Sequence, residues 1–306
     1  MADTRSGAPH PFFDDPTQLA PRRALREELG GGAFVLRSPE PLAAPVRCVG
    51  EWLERWAAET PDALAFAEPN PQVGTADAGS GAAADRWTRL TWRALRQRVG
   101  AVAQALLDLD LPAGKPVVVL SDNSLDHLVL ALACMHVGRA VCPVTSGYSR
   151  LAQGDFTRIH GILATLDPAL VYAHDAATYA PVLHGAPVRA RVVFSHGAKA
   201  VPNVPNALTF ADLLATRETP AVAAAFAAVG PDTHAKYLLT SGSTGHPKVV
   251  VNTQRMLTSN QQMLRQTLRF LEHDKPVLLD WLPWSHTFGG NHNTFLVMRC
   301  GGPMYL

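Results

Sequence analysis

The chain has little of what would place it in several large functional classes. Its 306 residues include four cysteines, Cys48, Cys134, Cys142 and Cys300, scattered with no C-x-x-C pair. That pattern supports neither a disulfide framework nor a cysteine-rich zinc site, and Cys134 and Cys142, set in apolar stretches, are expected in the core. Charge of either sign is not in excess: 27 Lys and Arg against 26 Asp and Glu leave a formal net charge of +1. Nothing in that balance points to nucleic acid or an anionic membrane. No apolar run approaches the roughly 18 residues that would span a bilayer, and the N-terminus lacks the basic-then-apolar order of a secretion signal. The compartment expected by default is the cytoplasm. What is present is 47% hydrophobic and 17% charged residues, the balance of a globular chain with a sizeable core in one large or two ordinary domains.

In chain order, residues 1–46 read as a polar, proline-containing N-terminal arm with one short strand over 34–37. Trp52, Leu53, Trp56 and Ala57 recur at helical spacing and predict a helix from Val49 that Pro61 ends. A strand is expected over 63–67, then an Ala/Gly/Pro/Asp-rich surface insertion over 68–85. Leu95, Val99, Val102 and Leu106 mark one face of a helix over 91–109. Strands over 116–120, 140–144, 170–173 and 191–194 are separated by helices over 124–137, 153–166 and 176–183, the first capped by Ser121 and stopped by Gly138. Strands apolar on both faces, alternating with helices, predict an α/β fold with parallel β-sheets flanked by helices on both faces. A short helix begins near Asp212, and 221–229 is weakly specified. A helix over 254–271 is expected to turn Met256, Leu257, Asn260, Met263, Leu264, Leu268 and Leu271 inward. A strand over 277–282 and a helix over 294–298 follow. Residues 301–306 look like a further strand, expected to leave an unpaired sheet edge and poor solubility.

The chemistry concentrates in Thr240, Ser241, Gly242, Ser243, Thr244, Gly245, His246, Pro247 and Lys248. Two glycines let the backbone curl so that successive N–H groups point into one hollow. The hydroxyls of Ser241, Ser243 and Thr244 and the charge of Lys248 complete a set of donors suited to a polyphosphate. Short apolar strands flank it, over 237–239 and 249–251. Strand–loop–strand is not the strand–loop–helix order of a Walker A site, and the G-x-x-x-x-G-K-[ST] spacing is absent. An ordinary P-loop phosphotransferase is therefore disfavoured, as is a simple Gly/Ser turn that binds nothing. A second motif spans 281–293 and includes Pro283, Trp284, His286, Phe288, Gly289, Asn291 and His292. His286 and His292 without a third ligand make a poor metal site, so no metal ligands are assigned.

These two motifs resemble, in order and separation, those of the acyl-adenylate-forming, or AMP-binding, superfamily. That superfamily includes acyl-CoA synthetases, luciferases and peptide-synthetase adenylation domains, and the resemblance reaches back to about Cys48. Val249 after Lys248, the run from Asn252 to Met256, the 280–293 stretch and the early run from Arg37 to Leu42 resemble feruloyl-CoA synthetases more narrowly. The resemblance implies a two-step ligase. A carboxylic acid, a hydroxycinnamate such as ferulate, reacts with ATP and Mg2+ to give acyl-AMP and pyrophosphate. The CoA thiol, as co-substrate, then displaces AMP. It also implies that Thr240, Ser241, Gly242, Ser243, Thr244, Gly245 and Lys248 hold the phosphates, with Lys248 and His286 catalytic. His286, Phe288, Gly289 and Asn291 would contact the acid.

The superfamily's glutamate for magnesium, aspartate for the ribose, hinge and lid lysine have no counterpart in these residues. The expectation is an incomplete large domain over 47–306, comprising a first βα region over 47–230 and a phosphate-loop region over 231–306, with the C-terminal lid domain absent. Competing readings are a CoA ligase for another carboxylic acid, a medium-chain fatty acid or benzoate, and a non-catalytic truncated remnant that only binds nucleotide or a partner. The partners implied are small molecules, with no nucleic acid; oligomeric state is left open.

Overall fold

The computed structural model describes residues 12, 13, 15–70, 86–152, 154–187, 189–198, 204, 207–240 and 247–306. Much of the predicted insertion, and Ser241, Gly242, Ser243, Thr244, Gly245 and His246 of the loop, lie outside the described residues.

The larger sheet is built by the βα rhythm read from the sequence. Strands β5 (Val117–Leu120), β6 (Val141–Val144), β7 (Leu170–Asp175) and β8 (Arg191–His196) follow β1 (Leu25–Gly30), β2 (Ala33–Arg37), β3 (Leu64–Pro69) and β4 (Trp87–Thr91) in the chain. With β9 (Leu208–Thr209), β10 (His234–Thr240) and β11 (Lys248–Thr253) they order as β11-β10-β6-β5-β7-β8-β9. All neighbours pair in parallel except β10 and β11, an antiparallel hairpin in which Thr240 faces Lys248. Every residue of β5 and β6 is buried, which is why those strands are uniformly apolar.

Helices α1 (Gly50–Glu59), α2 (Trp92–Asp108) and α3 (Leu125–His136) pack into one core with Leu53, Phe66, Trp92 and Val119. Helices α4 (Thr157–Leu166) and α5 (Ala176–Leu183) pack into a second core with Val118, Leu120 and Phe194. Val118 and Val119 point to opposite cores, so the sheet is covered on both faces, as expected. Two short helices, α6 (Phe210–Leu214) and α7 (Pro220–Ala228), follow β9, and Thr209 and Asp212 form a capping box on α6. Cys134 and Cys142 are core residues whose thiols burial pushes up to about 12.

Four expectations are corrected. The cap of α3 is Ser124, whose side chain accepts from the His127 N–H; Ser121 instead donates to the Asp122 carbonyl. In the 277–282 stretch only β12 (Leu278–Leu279) is strand, because Val277, Leu279 and Trp281 face outward and Asp280 turns the chain. The final strand, β13 (Met304–Tyr305), is not an unpaired edge: it lies between β12 and β3 in a second sheet ordered β12-β13-β3-β4. Helix α8 (Gln254–Thr267) buries Gln254, Leu257, Thr258, Gln261 and Gln262, while Met256 and Met263 are 57% and 49% exposed. The apolar period misled there because α8 packs on polar backbone, and Gln261 Nε2 donates to the carbonyls of Asn291 and His292 at 3.3 and 3.1 Å. The arm also holds a strand missed in sequence: β1 pairs with β2 across Gly30, Gly31 and Gly32, all at positive φ, and both strands are almost wholly exposed.

Two histidines are buried neutral on α3. Burial pushes His127 down to about 3 and His136 to about 4, from 6.5. The unfolded chain takes up protons below pH 6.5 that the folded chain refuses until pH 3–4, so stability falls as pH drops through that window. Urea midpoints measured at pH 7.5, 6 and 5 are expected to fall steadily below pH 6.5, each histidine contributing up to about 1.4 kcal/mol per pH unit. A flat profile over that range would show that both imidazoles protonate in place.

Candidate functional site

The β10–β11 hairpin bears one of the two candidate stretches and holds the other. At its tip, Thr240 and Lys248 are paired across the ladder and both exposed, so they bracket the 241–247 connection from its two sides. Further down the same hairpin, Lys236 on β10 pairs with Asn252 on β11. These two residues hold the second stretch, residues 280–293.

That stretch is irregular, and its backbone groups are satisfied by side chains from around it. Asn123, just before α3, grips the peptides on either side of Pro283: its Nδ2 donates to the Leu282 carbonyl at 2.9 Å and its Oδ1 accepts from the Trp284 N–H at 3.0 Å. Asp280 Oδ1 accepts from the Leu282 N–H and from Asn293 Nδ2, both at 3.1 Å. Trp284 is buried edge-on against His127, with ring centroids 5.1 Å apart. The chain then exposes His286 and winds through a π-helical turn, Phe288–Asn293, into α9 (Thr294–Cys300). Asn252 Oδ1 accepts from Asn291 Nδ2 at 3.0 Å, and the buried Lys236 ammonium donates to the carbonyls of Trp284 and Gly290 at 2.9 and 3.0 Å.

The glycines of this turn are required by close approach. A Cβ on Gly289 would lie 2.5 Å from the Leu282 carbonyl oxygen, and one on Gly290 2.1 Å from that of Trp284. Gly289 is buried against backbone, so the structure gives it a packing position.

Two concavities flank the turn. One, of about 380 Å³, is lined by Asn252, Met256, Asn260, Phe288, Asn291 and His292. The Phe288 and His292 rings are stacked, with centroids 4.7 Å apart and an 8° interplanar angle, giving a flat wall. Asn291 Oδ1 is buried with no hydrogen-bond partner among the described residues. The other, of about 470 Å³, lies where β5, β6 and β7 end and includes Ser121, Thr145, His174, Trp281 and Ser285. The carboxyl ends of parallel strands are where open α/β sheets place ligands.

Phe288, Asn291 and His292, singled out in the sequence, thus come together. Trp284 does not join them, being packed in the core, and His286 lies exposed at the start of the turn. Sequence reasoning missed Asn123, Lys236, Asn252, Asn260, Met256 and Gln261 as contributors. Asn252 and Met256 carried a signal as the ends of the 252–256 run, and Lys236 carried one as a lysine inside a largely apolar strand entering a glycine-rich loop.

Residues 53–306 match the AMP-binding enzyme family. The chain is 29% identical over 219 residues to 3-[(3aS,4S,7aS)-7a-methyl-1,5-dioxo-octahydro-1H-inden-4-yl]propanoyl:CoA ligase of Rhodococcus jostii (strain RHA1), a match covering 68% of this chain and 41% of that protein. It therefore spans about two fifths of the length of that curated relative, 41%. Among solved structures, its fold is similar to that of a fatty acyl-adenylate ligase from L. pneumophila in complex with acyl adenylate and pyrophosphate. The TM-score is 0.59 at 16% identity, over 85% of this chain and 40% of that one. ATP-bound MatB from Rhodopseudomonas palustris gives a TM-score of 0.59 at 21% identity, over 85% and 45% of the respective chains. With the parallel sheet, the loop-bearing hairpin and the glycine-dependent turn in place across the matched residues, this chain belongs to the AMP-binding enzyme family.

Proposed function

We propose that the chain carries the nucleotide- and acid-binding part of an ATP-dependent acid–CoA ligase whose acid is a hydroxycinnamate such as ferulate. The observation that carries the reading is that one hairpin bears the Thr240–Lys248 loop at its tip and holds the His286 turn against its middle. A carboxylate oxygen attacks the α-phosphorus of ATP, the bond to the bridging oxygen breaks, and pyrophosphate leaves with acyl-AMP formed. The CoA thiol then attacks the acyl carbon, releasing AMP and a proton.

The roles follow from chemistry. Lys248, with the hydroxyls and amides of Thr240, Ser241, Gly242, Ser243, Thr244 and Gly245, balances charge that builds on the departing pyrophosphate. The exposed His286 imidazole donates to the acid or the α-phosphate. The flat Phe288–His292 wall receives an aromatic ring, with the unpartnered Asn291 Oδ1 available to a phenolic hydroxyl. Magnesium would enter with the nucleotide and offset phosphate charge; among the described residues no group of three or more His, Cys, Asp or Glu side chains is placed to ligate a metal. Residues 47–306 form part of the large adenylation domain, following an arm over 1–46. Among the described residues no helix is long and apolar enough to cross a membrane, and we place the chain in the cytoplasm with its ATP and CoA.

ATP–pyrophosphate exchange, with ferulate, coumarate, benzoate and octanoate offered separately, tests this. Exchange is expected with the two hydroxycinnamates above the other two acids. Exchange with octanoate alone would overturn the aromatic assignment. Failure of the folded chain to bind ATP at all would overturn the nucleotide role.

A further inference from the structure

Lys236 is an unusual residue to find where it is. It sits on β10, one strand in from the edge of the larger sheet, between Val141 of β6 and Asn252 of β11, and is 4% exposed. Among the described residues no carboxylate pairs with it. Burying an ammonium without a counter-charge is costly, and a methionine would fill the same space without that cost. What a methionine could not do is donate. The ammonium donates to the Trp284 and Gly290 carbonyls, six residues apart, which bracket His286. The fit is tight: a Cβ on Gly290 would come within 2.3 Å of Lys236 Nζ. The cross-strand neighbour Asn252 holds Asn291, the next residue along, at 3.0 Å.

We infer that Lys236 is a positioning residue that fixes the 284–290 turn, and with it His286 and the Phe288 wall of the acid pocket, to the strand that leads into the phosphate-type loop. Lys236 is four residues before Thr240 on one extended strand, so the two functional stretches share a rigid mount. Removing the amine takes the Lys236 donor from two inward-facing carbonyls and frees the turn, while the apolar contacts of β10 remain. The part concerning the acid rests on the ligase reading; the part concerning the turn does not.

Burial pushes the Lys236 ammonium down to about 7 from 10.5. The titratable groups facing it are Cys142 of β6, which stays protonated, and His127 of α3, which stays neutral; the lining from the turn and α9 is Trp284, Gly290, Thr294 and Phe295. The charged amine makes charge-assisted bonds and the neutral amine weaker ones, so the clasp loosens as pH rises through about 7. The sign for global stability is opposite. The folded state binds fewer protons than the unfolded state between pH 7 and 10.5, so overall stability gains from this lysine as pH rises through that range.

Amide hydrogen exchange on Lys236→Met is the test. Protection of the 286–293 amides is expected to fall about tenfold or more relative to the β5 and β7 amides. Unchanged protection at the turn, or an equal loss throughout the sheet, would overturn the inference. A second measurement avoids the variant: in the unaltered chain, protection of the turn relative to β5, corrected for intrinsic exchange, should fall between pH 6 and pH 8.5. A ratio constant over that range would count equally against the clasp. Equilibrium binding of ferulate in the presence of ATP supplies the functional readout, with an expected loss of about tenfold in Lys236→Met. A loosened turn with unchanged ferulate affinity would refute the positioning of the acid. An unaltered chain that binds neither ATP nor acid would refute the ligase reading and leave the exchange result to decide the clasp.

Discussion

Truncating Trp92 to alanine should lower the unfolding free energy by about 3–5 kcal/mol. Trp92 is the first residue of α2 and is 0% exposed. Its ring lies 6.4 Å from that of Trp56 on α1 and 6.4 Å, edge-on, from that of Phe66 on β3. It therefore stands where the helical layer of the larger sheet meets the smaller β12-β13-β3-β4 sheet, and its loss would leave a cavity that three elements would have to close. One circumstance moderates the cost: the indole N–H is buried without a partner among the described residues, so truncation also removes an unsatisfied donor. Trp92→Phe separates the two contributions, keeping most of the ring and losing the donor, and is expected to cost less than half as much. Urea unfolding of the three proteins, with equal m-values as the check on two-state behaviour, measures both. A cost below about 1 kcal/mol for Trp92→Ala would mean that the two sheets are not packed through this residue.

The larger sheet was legible in the sequence because its determinants are local and redundant. The 117–120 run of three valines and a leucine, followed by an apolar helix stopped at Gly138, permits few alternatives even though the cap was misplaced at Ser121, and α5 begins and ends where its pattern predicts. In the smaller sheet, strands near 63–67, 277–282 and 301–306 were expected and β4 was not; the pairing was not legible, because β13 joins β3 more than 200 positions away and β12 joins β13. The buried face of α8 was misread for a related reason. Periodicity assumes that an inner face is apolar, and this helix turns Gln254 and Gln261 inward because their targets are backbone groups of residues 49, 291 and 292. The candidate site divides along the same line. Residues to which type and spacing assign a role, Lys248 and His286 among them, stood out in the sequence. The residues that hold the turn in place, Asn123, Lys236 and Asn252, gain meaning only from carbonyls and amides brought to them by the fold.

On the proposed ligase reading, Lys248→Ala in a full-length version should reduce ATP–pyrophosphate exchange about 100-fold or more while leaving the urea midpoint unchanged. The two halves of this expectation have separate physical grounds. Lys248 is exposed at the first position of β11, the edge strand of the larger sheet, so truncation removes no core contact and leaves the backbone pairing with Thr240 intact. The effect on exchange arises because negative charge shifts onto the departing pyrophosphate as the α-phosphorus bond breaks. A cation placed at the loop gains most at that stage, so the loss should appear in kcat more than in the affinity for ATP. Lys248→Arg retains the charge but changes its reach and geometry, and partial recovery is the expected result. Because the lysine is exposed, raising the salt concentration should weaken ATP binding in the unaltered chain more than in the alanine variant. Exchange that survives Lys248→Ala at its original rate would remove the lysine from the reaction, and a shifted urea midpoint would assign it to the hairpin's folding instead.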